Sequence, residues 1–208
     1  MWRCRQRLFH IPSLFVAGIL LLNSASAQQG KLQVGDPAPA WTDLMGTDGQ
    51  KHSLEEFAGK AVVVVCVTCN SCPYSVDYED RMIAFSKKYA AHPDGVVFVA
   101  INANRKPSEA LEKMRERAQG KQFPFLYLSD ETQKVAEAWG AVYTPEFFVL
   151  NRERRVIYIG AMDDKTDAQQ VKARHVEDAV EAALKGDIPA VQQVPARGCA
   201  IPYRRTRK

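Results

Sequence analysis

The stretch Ala61-Val62-Val63-Val64-Val65-Cys66-Val67-Thr68-Cys69-Asn70-Ser71-Cys72-Pro73 decides how this chain is read. An apolar run with no polar face, Val62 to Val67, predicts a buried strand, central and parallel in its sheet. That strand delivers a Cys-x-x-Cys to the start of a helix. The strand's end fixes the first sulfur. The helix N-terminus supplies unpaired N–H groups and a partial positive charge, which favour thiolate over thiol. Two intervening residues let the second sulfur fold back within bonding distance of the first. The pair can then shuttle between dithiol and disulfide by exchange with a partner's cysteines. On this reading Cys69 is the nucleophile, at the helix start and the more exposed of the two. Cys72 lies one turn inside and resolves the mixed disulfide. Pro73 removes a backbone donor, which the first turn of a helix tolerates.

A metal site is the weaker reading of the same cysteines. Zinc needs about four ligands, and the chain has no second Cys-x-x-Cys and no His pair. Cys66-x-x-Cys69-x-x-Cys72 begins an iron–sulfur spacing, but its fourth position is Val76. Cys66, inside a run of valines, reads as a small buried hydrophobe. Cys199, in Gly198-Cys199-Ala200-Ile201, is open between a third redox cysteine reaching back to the site, a static pair with Cys66, and a free thiol. His52, His92 and His175 show no ligand spacing and read as surface or helix residues. Neither a metal nor a cofactor is expected.

The ends of the chain speak to location. Arg3, Arg5 and Arg7 precede an apolar stretch from Ile11 to Leu22 and a small-x-small Ala25-Ser26-Ala27, the pattern of a signal segment over residues 1–27. The stretch is short for a membrane span, and no cysteine follows the small residues to take a lipid. The expected protein is therefore exported, periplasmic or extracellular, after cleavage near Ala27. Loss of three arginines takes the net charge from +4 to about +1. The remaining basic excess, Arg197, Arg204, Arg205, Arg207 and Lys208, reads as a solvated end. Membrane contact is possible only there or through the signal segment. No basic face interleaved with aromatics suggests nucleic acid. Cys4 leaves with the signal, so Cys66, Cys69, Cys72 and Cys199 remain in an oxidising compartment. Three of them lie within seven residues, a poor staple for a domain and a good chemical cluster.

The mature chain is about the size of one domain. Asp48-Gly49 predicts the turn of a small N-terminal hairpin between segments starting at Trp41 and Lys51. Ser53 and Glu56 form a capping-box pattern for a short helix. Then elements alternate: a helix over Tyr74 to Ala91, a buried strand over Val96 to Ile101, a charged helix over Ser108 to Gln119, and a strand over Phe125 to Leu128. A helix over Thr132 to Trp139, two strands over Glu146 to Leu150 and Arg155 to Ile159, and a helix over Gln169 to Lys185 follow. The order β-α-β-α-β-α-β-β-α implies a layered α/β domain over residues 28–186. Residues 187–208, with Cys199, read as a Pro-containing tail without regular structure.

Taken together, Gly35-Asp36-Pro37-Ala38-Pro39, Leu54 to Lys60, Cys69-Asn70-Ser71-Cys72-Pro73, Tyr78-Glu79-Asp80-Arg81, Phe123-Pro124-Phe125, Asp130-Glu131-Thr132-Gln133, Thr144-Pro145-Glu146 and Gly160-Ala161-Met162-Asp163-Asp164 resemble the thioredoxin-like superfamily. Within it the chain is most similar to the peroxiredoxin-like, AhpC/TSA-type redoxin branch. The resemblance implies a thioredoxin-like fold, with a central mixed β-sheet flanked by helices behind the N-terminal hairpin. It implies Cys69 and Cys72 as the redox pair. It also implies a cis Pro145 facing them, with the Thr144 backbone pairing with a substrate peptide.

The chain departs from its relatives at two points. The peroxiredoxin frame Pro-x-x-x-Thr-x-x-Cys fails in both registers, since Val62 and Cys66, or Val65 and Cys69, stand where Pro and Thr belong. Thioredoxin's buried aspartate, six residues before the first cysteine, is Val63 here. Glu79, Asp163 and Asp164 are the candidate proton acceptors for Cys72, against ion-pair and loop-capping roles for the same residues. The expected function is an exported thiol–disulfide oxidoreductase exchanging disulfides with protein thiols, fed by an upstream membrane thiol reductase. The uncharged Asn70-Ser71 dipeptide leans it towards a reductant. The rivals are a thiol-dependent peroxidase, a Cu(I)-binding metallochaperone, since soft thiolates suit that ion, and a non-catalytic binding module.

Overall fold

The structure is a computed structural model that describes residues 1 and 31–204. Beyond Met1 the signal segment read at 1–27, and Arg205, Arg207 and Lys208 of the basic tail, lie outside the described residues. The hairpin forms as β1 (Leu44–Gly46) and β2 (Lys51–His52), with Gly49 at φ +85 in its turn. A 3-10 turn, Leu54–Phe57, follows, and the Glu56 carboxylate accepts the Ser53 backbone N–H at 2.7 Å. His52 is buried rather than a surface residue. Its ring bridges Asp48 (2.8 Å) and Glu56 (2.9 Å), and so ties the hairpin to that turn.

The quoted valine run becomes β3 (Val62–Thr68), buried along its whole length. Period-two alternation splits it between two cores. Val62, Val64 and Cys66 face one layer; Val63, Val65 and Val67 face the other. Helix α1 (Pro73–Tyr89) and strand β4 (Val96–Asn102) follow as expected. The next helix, α2 (Leu111–Lys121), starts later than its charge pattern suggested, because Pro107–Glu109 makes a separate 3-10 turn that points Glu109 inward. Then come β5 (Leu126–Ser129), the short α3 (Lys134–Ala138), β6 (Tyr143–Thr144), β7 (Glu146–Leu150) and β8 (Val156–Gly160). The last helix, α4 (His175–Lys185), begins at His175 rather than Gln169; Ala168–Gln170 is a 3-10 turn capped by the Asp167 side chain.

The strands form one eight-stranded mixed sheet in the order β2-β1-β5-β4-β3-β7-β8-β9, where β9 is Gln193–Val194. β3 runs parallel to β4 and antiparallel to β7, so it is central as expected. Apolar residues of α1, α2 and α4 cover one face. The N-terminal segment, α3 and the end of the chain cover the other.

The tail departs most from the expectation of irregular structure. β9 adds parallel to β8, and β10 (Cys199–Ala200) pairs antiparallel with β6, with Cys199 opposite Thr144. The close approach at β9 depends on Gly160, at φ +140, where a Cβ would collide with the Val194 backbone. Beyond β10, Ile201 is buried in the second core, its N–H donates to the Val142 carbonyl (2.9 Å), and the Tyr203 hydroxyl donates to the Ala141 carbonyl (2.7 Å). Gln133 clamps the same segment, donating to the Pro202 carbonyl (3.3 Å) and accepting the Arg204 N–H (3.1 Å). The residues 195–200 therefore form a strap anchored on both sides.

The second core is organised by Trp139, which is 1 % exposed, stacks edge-on against Phe148 at 5.2 Å, tilts against Trp41 at 5.8 Å and donates to the Pro39 carbonyl at 3.0 Å. Trp139→Ala is expected to cost about 3–5 kcal/mol of unfolding free energy. Urea titration checks it; a loss under about 1 kcal/mol would show that this layer does not carry the fold.

Candidate active site

β3 ends at Thr68, and Cys69, Asn70 and Ser71 make a bend before α1. The helix begins at Pro73, with Cys72 as its N-cap residue in extended conformation (φ -75, ψ 121). This corrects the expectation that Cys69 marks the helix start with Cys72 one turn inside. The reason is twofold. Proline is favoured at the first helical position, which makes the preceding residue the cap. The bend is also fixed by a carboxylate: Glu109 accepts the N–H groups of Asn70 (2.7 Å) and Ser71 (3.0 Å), and so ties them to the 3-10 turn at Pro107–Glu109. Nor is Cys69 the more exposed of the pair; each is 2 % exposed.

Thr144 joins the sulfurs. The Thr144-Pro145 peptide bond is cis. The Thr144 carbonyl lies 3.0 Å from the Cys72 sulfur and accepts from its thiol. Its hydroxyl lies 3.4 Å from the Cys69 sulfur. The same hydroxyl lies 3.4 Å from the Cys199 carbonyl, to which it can donate. Through the β6–β10 pairing Thr144 also brings the Cys199 sulfur to 2.7 Å from that of Cys72. A disulfide is about 2.05 Å, so the two sulfurs sit inside van der Waals contact and within closing distance of a bond. The four described cysteines are free thiols. Of the three at the site, Cys199 alone keeps appreciable exposure.

The electrostatics separate the three. Burial opposes ionisation of Cys72, but its contacts with the Cys199 sulfur, the Ser75 and Cys199 backbones and the Thr144 side chain outweigh it, and its pKa falls below that of an ordinary cysteine. Cys199 moves the other way. Its hydrogen bond to Cys72, then burial, push its thiol up to about 11. Burial likewise raises Cys69, against the Thr144 hydroxyl and with the help of the Glu109 charge. Of these three sulfurs, only Cys72 is shifted towards the thiolate.

The other singled-out residues lie elsewhere. Cys66 sits at 0 % exposure between Ala100 and Phe147 in the sheet, and burial raises its pKa strongly; it does not meet Cys199. Glu79 is buried in a two-pronged ion pair with Arg117 (2.7 and 2.9 Å), although it shares the lining of a small cavity with Cys69. Asp163 accepts from Tyr78 (3.0 Å) and Arg81 (2.6 Å), and Asp164 accepts the N–H groups of Lys172 (2.9 Å) and Ala173 (3.1 Å). None of the three carboxylates hydrogen-bonds a cysteine; their partners are arginines, a tyrosine and loop backbone.

Two acids that the sequence reading passed over do touch the site's frame. Glu109 is 3 % exposed and, besides the bend, accepts from Asn102 at 2.9 Å. Glu146, 6 % exposed, accepts the N–H groups of Val142 (2.7 Å) and Tyr143 (3.2 Å), and so shapes the lead-in to Pro145. The available signal for Glu146 was a charge opening an otherwise apolar strand. Glu109 carried none, since it stands in a charged segment. Among the described residues, no group of three or more His, Cys, Asp or Glu is placed to hold a metal ion, and no helix is long and apolar enough to cross a membrane.

Comparison with known proteins agrees with this frame. Residues 33–178 match the Redoxin family. No curated protein matches the sequence. Among solved structures, a hypothetical protein from Sinorhizobium meliloti 1021 is 33 % identical, with 84 % of this chain and 97 % of that one covered and a TM-score of 0.77. An uncharacterized conserved protein from Geobacillus kaustophilus is 31 % identical, with 85 % and 95 % covered and a TM-score of 0.78. The peroxidoxin BcpB of Mycobacterium tuberculosis shares the fold at 19 % identity, with 74 % and 97 % covered and a TM-score of 0.57. By the span of that match the chain belongs to the Redoxin family, and its fold is thioredoxin-like.

Proposed function

We propose that this redox protein is an exported thiol–disulfide oxidoreductase that exchanges disulfides with protein partners, and that Cys72 is the sulfur on which exchange turns. The observation that carries this reading is the position of Cys72 at the N-cap of α1 beside Thr144, with its thiolate favoured over those of its neighbours. Thiolate is the attacking form, and a low-pKa sulfur is also the better leaving group, so one favoured site serves both directions of exchange. The pairing of roles inferred from the motif alone is thereby reversed: Cys69 becomes the reserve thiol of the loop. Export rests on the Arg3–Ala27 pattern, and an exported reductant needs electrons from a membrane thiol reductase. The absent peroxiredoxin frame weighs against peroxide as the substrate.

With insulin disulfides as substrate and a dithiol donor, Cys72→Ser is expected to lower turnover at least about a hundredfold, and Cys69→Ser less than about tenfold. The reverse order of effects would return the central role to Cys69.

Glu109 is a positioning residue on this account, because both loop N–H groups end on its carboxylate. In Glu109→Gln one of those donors faces an amide NH₂. The expected result is slower exchange and a stability loss of about 1–3 kcal/mol, with a changed ionisation midpoint of Cys72 as the signature of a displaced loop. A variant that is less stable but keeps that midpoint would make Glu109 purely structural.

A further inference from the structure

We propose that the strap's Cys199 is the sulfur through which partners reach the site, and that the disulfide presented to them is Cys72–Cys199 rather than Cys69–Cys72. The inference rests on the reading of Cys72 above and names its working partner. Three observations carry it.

The first is access. Cys69 and Cys72 are each 2 % exposed, whereas Cys199 remains partly open to solvent. A protein sulfur approaching the folded molecule therefore meets Cys199 first. The second is proximity. The Cys199 and Cys72 sulfurs are 2.7 Å apart, so a bond between them needs only a small closing movement. The third is construction. β10 is held in register on β6, Cys199 opposite Thr144, and the strap is fixed on one side by β9 on β8 and on the other by Ile201, Tyr203 and Gln133. Gly198 is part of that fit, because a Cβ there would collide with the Thr144 carbonyl. A strand added to an exposed backbone edge is how extended peptides are recognised in general. Here the chain supplies its own strand, with a cysteine placed against the reactive sulfur.

A partner thiolate attacks the Cys199 sulfur of the Cys72–Cys199 disulfide. The partner–Cys199 bond forms, the Cys199–Cys72 bond breaks, and the electron pair leaves on Cys72 as thiolate. The partner's second thiolate then attacks its own half of the mixed disulfide. The partner's disulfide forms, and Cys199 leaves and takes a proton from solvent. The partner dithiol is oxidised by two electrons and the Cys72–Cys199 disulfide is reduced by two. Run backwards, the Cys199 thiolate attacks a partner disulfide and expels one partner thiolate; the Cys72 thiolate then attacks the Cys199 sulfur and expels the other, so the partner is reduced by two electrons and Cys72 closes the Cys72–Cys199 disulfide. The substrate class is thus a protein dithiol or disulfide able to present a sulfur at the strap's surface.

The test is a disulfide map of the full chain after one equivalent of diamide, combined with insulin-exchange rates. The expected map links the Cys72 and Cys199 peptides. Cys199→Ser should slow exchange at least about tenfold. Gly198→Val, which keeps every sulfur but unseats the strap, should slow it as well. A Cys69–Cys72 link as the first disulfide, with Cys199→Ser at the wild-type rate, would overturn the proposal. Faster exchange in Gly198→Val would also overturn it, since the strap would then only cover Cys72. Failure of the underlying reading looks different: exchange would survive Cys72→Ser.

Discussion

Thr144 is the point on which the site depends. It is fully buried, and each of its polar groups faces a cysteine: its carbonyl meets Cys72, its hydroxyl lies between Cys69 and the Cys199 backbone, and its strand pairs with Cys199. A buried residue with this many obligations is expensive to misplace, because every unmet polar group costs free energy in a low-dielectric interior. Its position is set by β7, antiparallel to the all-buried β3, and by Glu146, which gathers the preceding N–H groups. The same β3 delivers the cysteine bend. The sheet therefore fixes both halves of the site at one end of its central strands.

The division of charge among three close sulfurs follows from that geometry. A helix N-terminus favours an anion at its cap, and the cap is Cys72. The Cys72 and Cys199 sulfurs touch and ionise as a pair, so charge on Cys72 holds the proton on Cys199 more firmly. Cys69, just as buried, lies against the field of Glu109. Buried acids elsewhere are absorbed by structure. Glu79 with Arg117, and Asp163 with Arg81, cross between elements as hydrogen-bonded ion pairs.

Much of the frame was legible in the sequence. The valine run, the amphipathic stretch of α1, the Asp48-Gly49 turn and the β7–β8 pair carry local signals of period and turn chemistry, and they formed close to where those signals lie. The order of the cysteines at the helix start was half legible. Pro73 pointed to Cys72 as the cap, but the motif's usual reading points to its first cysteine. The bend ahead of that cap is held by Glu109, thirty-odd residues away and without a local signature. The tail was not legible. β9 and β10 are two residues each, and their pairing depends on distant edges at β8 and β6 and on two glycines whose missing side chains matter only in three dimensions.

The central claim is that Cys72 holds the site's thiolate. Ultraviolet titration of thiolate absorbance in the reduced protein tests it most directly, with wild type, Cys72→Ser and Cys69→Ser compared. The account expects a transition below the ordinary cysteine value of 9.0 that vanishes in Cys72→Ser and survives in Cys69→Ser. A low transition that survives in Cys72→Ser and vanishes in Cys69→Ser would contradict it.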